Sequence, residues 1–194
     1  MDSATDAFHA VAVVRFHDSQ LRERDWPVMT RGPALGGPAA AVWEWVAANH
    51  RYNGLLWQEE NRARRLDVAP EDIVDGQRLI DRYDQKRLDA IEAIDEALLA
   101  GLHGVARETG ARLSSETAGA MIDRLSVLAL KIHHMRLQAR RADAEPEHVQ
   151  ACTHKLERLR AQRRDLATCL DLLLREARVG AAYFKVYRQV RMAS

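Results

Sequence analysis

Cysteine is nearly missing from this chain: Cys152 and Cys169 are the only two. They fall in one helical stretch, 17 positions apart. At about 1.5 Å per residue that separates them by roughly 25 Å, far beyond disulfide reach. Both read as reduced, buried, small apolar residues, and no CxxC or Cys/His cluster suggests zinc. Long apolar runs are missing too, since none approaches the roughly 20 residues that span a bilayer. The opening stretch MDSATDAFHAVAVVRFHDSQ starts acidic and does not read as a secretion signal. Net charge is also nearly absent: 29 basic residues face 28 acidic ones. That balance gives no electrostatic reason to expect nucleic acid or an anionic membrane as partner. Lysine is rare, with only Lys86, Lys131, Lys155 and Lys185 among the basic residues. With heavy Ala, Leu, Val and Asp usage, this fits the codon bias of a GC-rich bacterial genome. The expectation is a soluble, cytoplasmic protein whose 194 residues form one domain, 1–194, with a real core.

What is present reads as helix. Residues 4–24 place Phe8, Val11, Val14 and Phe16 on a first amphipathic helix. RGPALGGPAA (31–40) is the clearest loop, and Pro38 suits the first turn of a helix reaching about Arg65. Asp67 and Pro70 mark the junction to a third helix over about 70–100. Ser114 or Ser115 offers an N-cap for a fourth, ending near Arg141, and Asp143 caps a fifth, which reaches about Arg178. The tail 179–194 reads as irregular or as a short packed segment. No stretch shows strand periodicity, so the fold class is all-α, an elongated antiparallel bundle of about five helices. A bundle of this shape makes a homodimer plausible.

The second helix poses the functional question. His50, Asn53, Trp57, Glu60 and Arg64 fall within about 80° of one another and continue the line of Val42 and Val46. The stripe is apolar in its first half and polar in its second. On the third helix Ile73, Ile80, Ile91 and Leu98 form a core line that Asp84 and Arg87 interrupt at i,i+3 spacing. Asp81, Gln85, Glu92 and Asp95 run beside it. The fourth helix has one stripe of Met121, Leu125, Leu128, Ile132 and Met135 and another of Val127, Leu130 and Leu137, shared with Asp123 and His134. Ionisable groups on inward faces can simply pair and fix register. Three helices doing so together favour a solvated interior pocket, because each buried charge costs several kcal/mol before pairing offsets it.

Roles follow from side-chain chemistry. His50 and Glu60 form the candidate acid/base pair, since imidazole titrates near neutrality and burial can raise a carboxyl pKa; Asp84 joins them as a third catalytic candidate. Arg64 and Arg87 can clamp a carboxylate or phosphate, Asn53 can orient a carbonyl, and Trp57 can supply a flat wall. Asp123 would orient the arginines, and His134 is a lesser candidate for substrate contact.

NHRYNGLLWQEENRARR, IDRYDQKRLDAIEAID and SSETAGAMIDRLSVLALKIHHM together resemble domain-of-unknown-function family 4254, a bacterial family of about this length. The resemblance covers nearly the whole chain. It matches at His50, Asn53, Trp57 and Glu60, at Asp81, Gln85 and Arg87, and at Glu116, Thr117, Gly119, Asp123, Arg124 and Ser126. Asp84 stands where the family pattern has asparagine, and the YFKVYRQVRMAS tail stops early. The family implies no activity.

The functional expectation is a small-molecule enzyme with a metal-free, cofactor-free acid/base site inside the bundle. It would be a hydrolase, an isomerase or cyclase, or a transferase acting on a small anionic or sugar-like substrate in a biosynthetic pathway. One alternative is a dimeric helical scaffold or adaptor, whose polar groups would pair fully among themselves. Another is a MazG-like, metal-dependent nucleotide hydrolase. Glu92-x-x-Asp95 fits half of its metal motif, whereas Glu59 and Glu60 are followed three positions later by Arg62 and Ala63.

Overall fold

Proline and threonine start the long helices. The computed structural model describes residues 8–34, 36–64 and 70–188. Helix α1 spans Ala10–Gln20, α2 Pro38–Ala63, α3 Pro70–Gly101, α4 Ala118–Ala139 and α5 Pro146–Arg178. Pro38 and Pro146 occupy first-turn positions, where a missing N–H costs nothing. Helix α4 is capped by Thr117, whose hydroxyl accepts from the Ala120 N–H at 3.1 Å. That corrects the expected Ser114 or Ser115, because Ser114 instead donates to the Glu116 carbonyl at 2.7 Å. Asp143 is likewise not a cap: Arg141 holds both its oxygens, and Glu145 takes the N-cap position of α5 without a side-chain bond.

The chain folds as an all-α bundle. Helices α2 and α3 form one extensive antiparallel pair, α4 and α5 another, and α1 packs on α4 and α5. Two short strands were not foreseen: β1 (Arg112–Leu113) runs parallel to β2 (Ala182–Tyr183). Arg112 N–H donates to the Ala181 carbonyl at 2.9 Å and Ser114 N–H to Tyr183 at 2.8 Å, which seats Phe184 in the core. The tail is therefore packed through Phe184, whereas Lys185, Tyr187 and Arg188 are exposed. Residues 4–7, Leu35, the Asp67 part of the second junction and 189–194 lie outside the described residues, as does the side chain of Ile73.

The core gathers Val13, Phe16, Val42, Val46, Ile94, Leu98, Ile122, Leu125, Leu170 and Leu174. Burying each such side chain contributes about 1.5–3 kcal/mol. Phe8 is buried just before α1, so the helix begins later than its apolar spacing implied; Val13 faces inward and Val11 is 54% exposed. Leu137, in the last turn of α4, is exposed, and so is Cys169, while Cys152 is buried as expected. Two close approaches set the geometry around the polar stripe. Gly54 of α2 lies under the Trp26 ring, where a Cβ would overlap the indole and stand 2.8 Å from Pro27 Cβ. Gly119 brings the start of α4 onto α3, where a Cβ would stand 2.5 Å from the Ile91 carbonyl oxygen.

Candidate functional site

The polar half of the α2 stripe divides at Trp57. Before it, Asn49, His50 and Asn53 are buried and face Asp123 and Ser126 of α4, both buried. Asn49 and Asn53 each donate to Asp123 Oδ1 at 2.9 Å, and Asn53 donates to Ser126 Oγ at 3.0 Å and to Asn49 Oδ1 at 3.3 Å. A carboxylate oxygen only accepts, so it fixes both amide orientations. Arg87 of α3 reaches the same oxygen with Nε at 3.7 Å and Asp84 with Nη1 at 3.6 Å. The i,i+3 spacing of Asp84 and Arg87 thus makes the ion pair that the sequence suggested, and α2, α3 and α4 meet through one carboxylate.

His50 belongs to this network. Its Nδ1 lies 2.7 Å from Ser126 Oγ. With Asn53 donating to that oxygen, the hydroxyl proton is free to point at the imidazole. Burial pushes the His50 pKa down to about 3, weakly opposed by the His17 main chain. His17 of α1 stacks on His50 and is also held well below the usual imidazole range, first by burial, then by His50 and Arg163. Neither His17 ring nitrogen has a hydrogen-bond partner among the described residues.

After Trp57 the stripe leaves the interior. Glu60 and Arg64 are exposed and pair with each other at 3.9 Å. Glu60 lies ten residues beyond His50 on the same helix, about 15 Å along its axis. The structure therefore does not bring the expected acid/base pair together. Straight-helix geometry forbids it, however well the two residues align in projection.

Trp57 itself meets His134. The two rings stack with centroids 4.7 Å apart and planes 14° from parallel. They wall a cavity of about 430 Å³ between α4 and α5, with Lys131, Met135, Gln138, Lys155, Arg158, Leu159 and Gln162. Three cations and no carboxylate line it. Burial, then the neighbouring His133, holds His134 below the usual imidazole range, so it is neutral at pH 7. Lys131 and Gln162 also belong to a larger groove of about 790 Å³ further along α4 and α5. There the charges cancel, because Arg112 pairs with Glu176 at 2.6 Å and Arg124 with Glu116 at 2.8 Å. The smaller cavity has the stronger claim on an anion.

Sequence reading identified Trp57 and His134 but missed Lys131, Lys155 and Arg158. The cations sit on α4 and α5, whose pairing had not been used to place residues opposite one another. Repeated basic positions at 155 and 158 were the available signal. Among the described residues, no group of three or more His, Cys, Asp or Glu side chains is arranged to hold a metal ion, and no helix is long and apolar enough to cross a membrane.

The sequence model of the family described as "Protein of unknown function (DUF4254)" matches residues 43–186. The chain belongs to the DUF4254 family. That span contains the Asp123 network, the Trp57–His134 stack and all three cavity cations of this DUF4254 chain, but not His17. No curated protein and no solved structure matched it.

Proposed function

We propose that this protein is a small-molecule enzyme that binds a small anionic or sugar-like substrate in the cavity over Trp57 and His134. Acid/base chemistry there is carried by side chains. The observation that supports this reading is the lining itself: Lys131, Lys155 and Arg158 without an opposing carboxylate, beside a flat aromatic wall. A volume of about 430 Å³ lies in the range typical of small-molecule sites. The cations hold the anion, Gln138 and Gln162 offer hydrogen bonds to hydroxyls, and Trp57 excludes water from one side. His134, neutral at pH 7, is the group able to take a proton from the substrate and return it, as isomerisation, cyclisation or hydrolysis requires. His50, Asn53, Asp123 and Arg87 serve as positioning residues: they tie α2, α3 and α4 together one to two turns before Trp57 and about three turns before His134, and so hold Trp57 against His134. We place the enzyme in a biosynthetic pathway of the bacterial cytoplasm, as a homodimer.

The second reading, a dimeric helical scaffold, is favoured by one observation. The network around Asp123 is paired largely within itself, as a purely structural core would be. A thermal-shift screen with sugar phosphates, nucleotides and carboxylates separates the two. The enzyme reading expects an anion that raises the melting temperature of the wild type and not of Lys155→Gln/Arg158→Gln. A screen without a single stabilising anion favours the scaffold.

A further inference from the structure

The cavity over Trp57 and the larger groove are two stretches of one seam. On α4, Met121, Arg124, Leu128, Lys131, Met135 and Gln138 follow one another by alternating steps of three and four residues. That spacing keeps them on one face of the helix. On α5, which runs the other way, Leu173, Cys169, Leu166, Gln162, Leu159 and Lys155 repeat the pattern. All of them line one space or the other, and Lys131 and Gln162 line both. Two such stripes facing each other ordinarily interlock, knobs into holes, along their whole length. Here polar residues interrupt both stripes, and the seam stays open as about 790 Å³ of groove and about 430 Å³ of cavity.

The two stretches differ in charge. The cavity presents Lys131, Lys155 and Arg158 with no carboxylate. The groove is balanced: Arg112, Arg124 and Lys131 meet Glu116, Asp165 and Glu176, with Arg112–Glu176 and Arg124–Glu116 joined as ion pairs. Its lining is otherwise mostly apolar. Met121, Leu166 and Leu173 are buried in it, Val127 and Leu128 are half-buried, and Leu172 remains 37% exposed. Apolar side chains left open together mark a surface that meets an apolar partner. From Lys131 to Met121 the groove follows α4 for about 15 Å, the reach of an extended dodecyl chain.

We propose that the seam holds a single-chain amphiphile, with a phosphate head in the cavity over Trp57 and His134 and an aliphatic tail along the groove. This rests on the reading of the cavity as a substrate site and names the class of substrate. Charge complementarity carries the assignment. A phosphate monoester, at about −1.5 to −2 near pH 7, answers three cations better than a single carboxylate does. The groove offers nothing to a second charge but gains from each methylene it covers. Lys131 and Gln162, lining both stretches, stand at the neck between head and tail. Chemistry at His134 then falls on the head, and the tail supplies binding.

The test is calorimetric titration of the full chain with ethyl phosphate and with dodecyl phosphate, the latter below its micelle-forming concentration. Dodecyl phosphate should bind at least about a hundredfold more tightly. Leu172→Glu sets a carboxylate on the groove wall at an already exposed position, and should cut that advantage at least about tenfold. Cys169 gives a readout that needs no substitution, because its thiol is exposed in the groove whereas Cys152 is buried. Saturating dodecyl phosphate should slow alkylation of Cys169 by iodoacetamide at least about fivefold, and ethyl phosphate should not. Suppose ethyl phosphate binds through Lys155 and Arg158, with no gain from the longer chain and no protection of Cys169. That result overturns the inference and leaves the cavity reading standing. Dodecyl phosphate that protects Cys169 yet binds Lys155→Gln/Arg158→Gln equally well overturns the placement of the head, and the cavity reading with it. A dimer that Leu172→Glu splits in equilibrium sedimentation, with no chain-length gain, gives the groove to a second copy and overturns the inference. Binding of neither phosphate overturns it too, whatever the anion screen returns for the cavity.

Discussion

His17 of α1 and His50 of α2 stack with ring centroids 4.4 Å apart and planes 25° from parallel, and both side chains are shut off from solvent. Neither can take a proton without a charge appearing in the core. In the unfolded chain both titrate near pH 6.5. Their stabilising contribution is therefore present above that pH and is lost as pH falls toward about 3. Asp95 opposes them. It is buried where it accepts the Gly119 N–H at 2.6 Å, and burial raises its pKa to about 6 against the hydrogen bonds from Thr117 and Gly119. Its contribution is present below about pH 4 and lost as pH rises through about 6. Two imidazoles against one carboxyl leave one excess proton for the unfolded state between those limits. Stability should fall by on the order of 1 kcal/mol per unit from pH 6 to pH 4. Denaturant midpoints across that range check this; a flat or rising profile on acidification contradicts it.

Replacing the buried ring tests the same pair from the other side. His17→Leu removes two nitrogens that have no partner while nearly keeping the volume. Stability at pH 7 should rise by about 1 kcal/mol, and the acid slope should flatten. A variant that is less stable and equally acid-sensitive would show that the ring is satisfied after all.

Asn53 is the hub of the buried network, with one amide nitrogen facing Asn49, Asp123 and Ser126. Asn53→Leu takes one donor from Asp123 Oδ1 and one from Ser126 Oγ, leaving Asn49, Arg87 and His50 as their partners, and should cost about 1–3 kcal/mol. A loss under 1 kcal/mol would mean that α2 and α4 are held by apolar packing alone.

Gly54→Ala sets two effects against each other. Helix propensity favours alanine by about 1 kcal/mol, but the added methyl would collide with Trp26 and Pro27. Overpacking should win, with a net loss of about 1–2 kcal/mol in unfolding free energy. A stabilised variant would mean that the Trp26 ring moves aside easily.

Much of the fold was legible because helices announce themselves locally. Pro38 and Pro146 start helices where they stand, and Val42, Val46, Leu98, Leu125 and Ile132 are buried on their expected stripes. The caps of α4 and α5 were misassigned because Ser114 and Asp143 had partners closer than a helix end. The β1–β2 pair was invisible, since two residues on each strand carry no periodicity. His50, Asn53, Asp123 and Arg87 do converge, as the stripes implied. Angular projection placed Glu60 and Arg64 with them because a helical wheel discards distance along the axis. The cavity cations needed the pairing of α4 with α5, which is tertiary information.

Glu60 offers a clean negative control. Glu60→Gln disturbs one exposed pair with Arg64 and should change stability by less than about 0.5 kcal/mol. Any turnover found for the protein should survive it. Abolished turnover in a fully folded variant would return Glu60 to the chemistry.

The most direct test of the central claim is calorimetric titration of the best anion from the screen into wild-type protein and into Lys155→Gln/Arg158→Gln, at two salt concentrations. Saturable one-site binding is expected, weakened by added salt and reduced at least about tenfold in the double variant with its fold intact. Equal affinity in the two proteins would contradict an anion held at the cavity over Trp57 and His134.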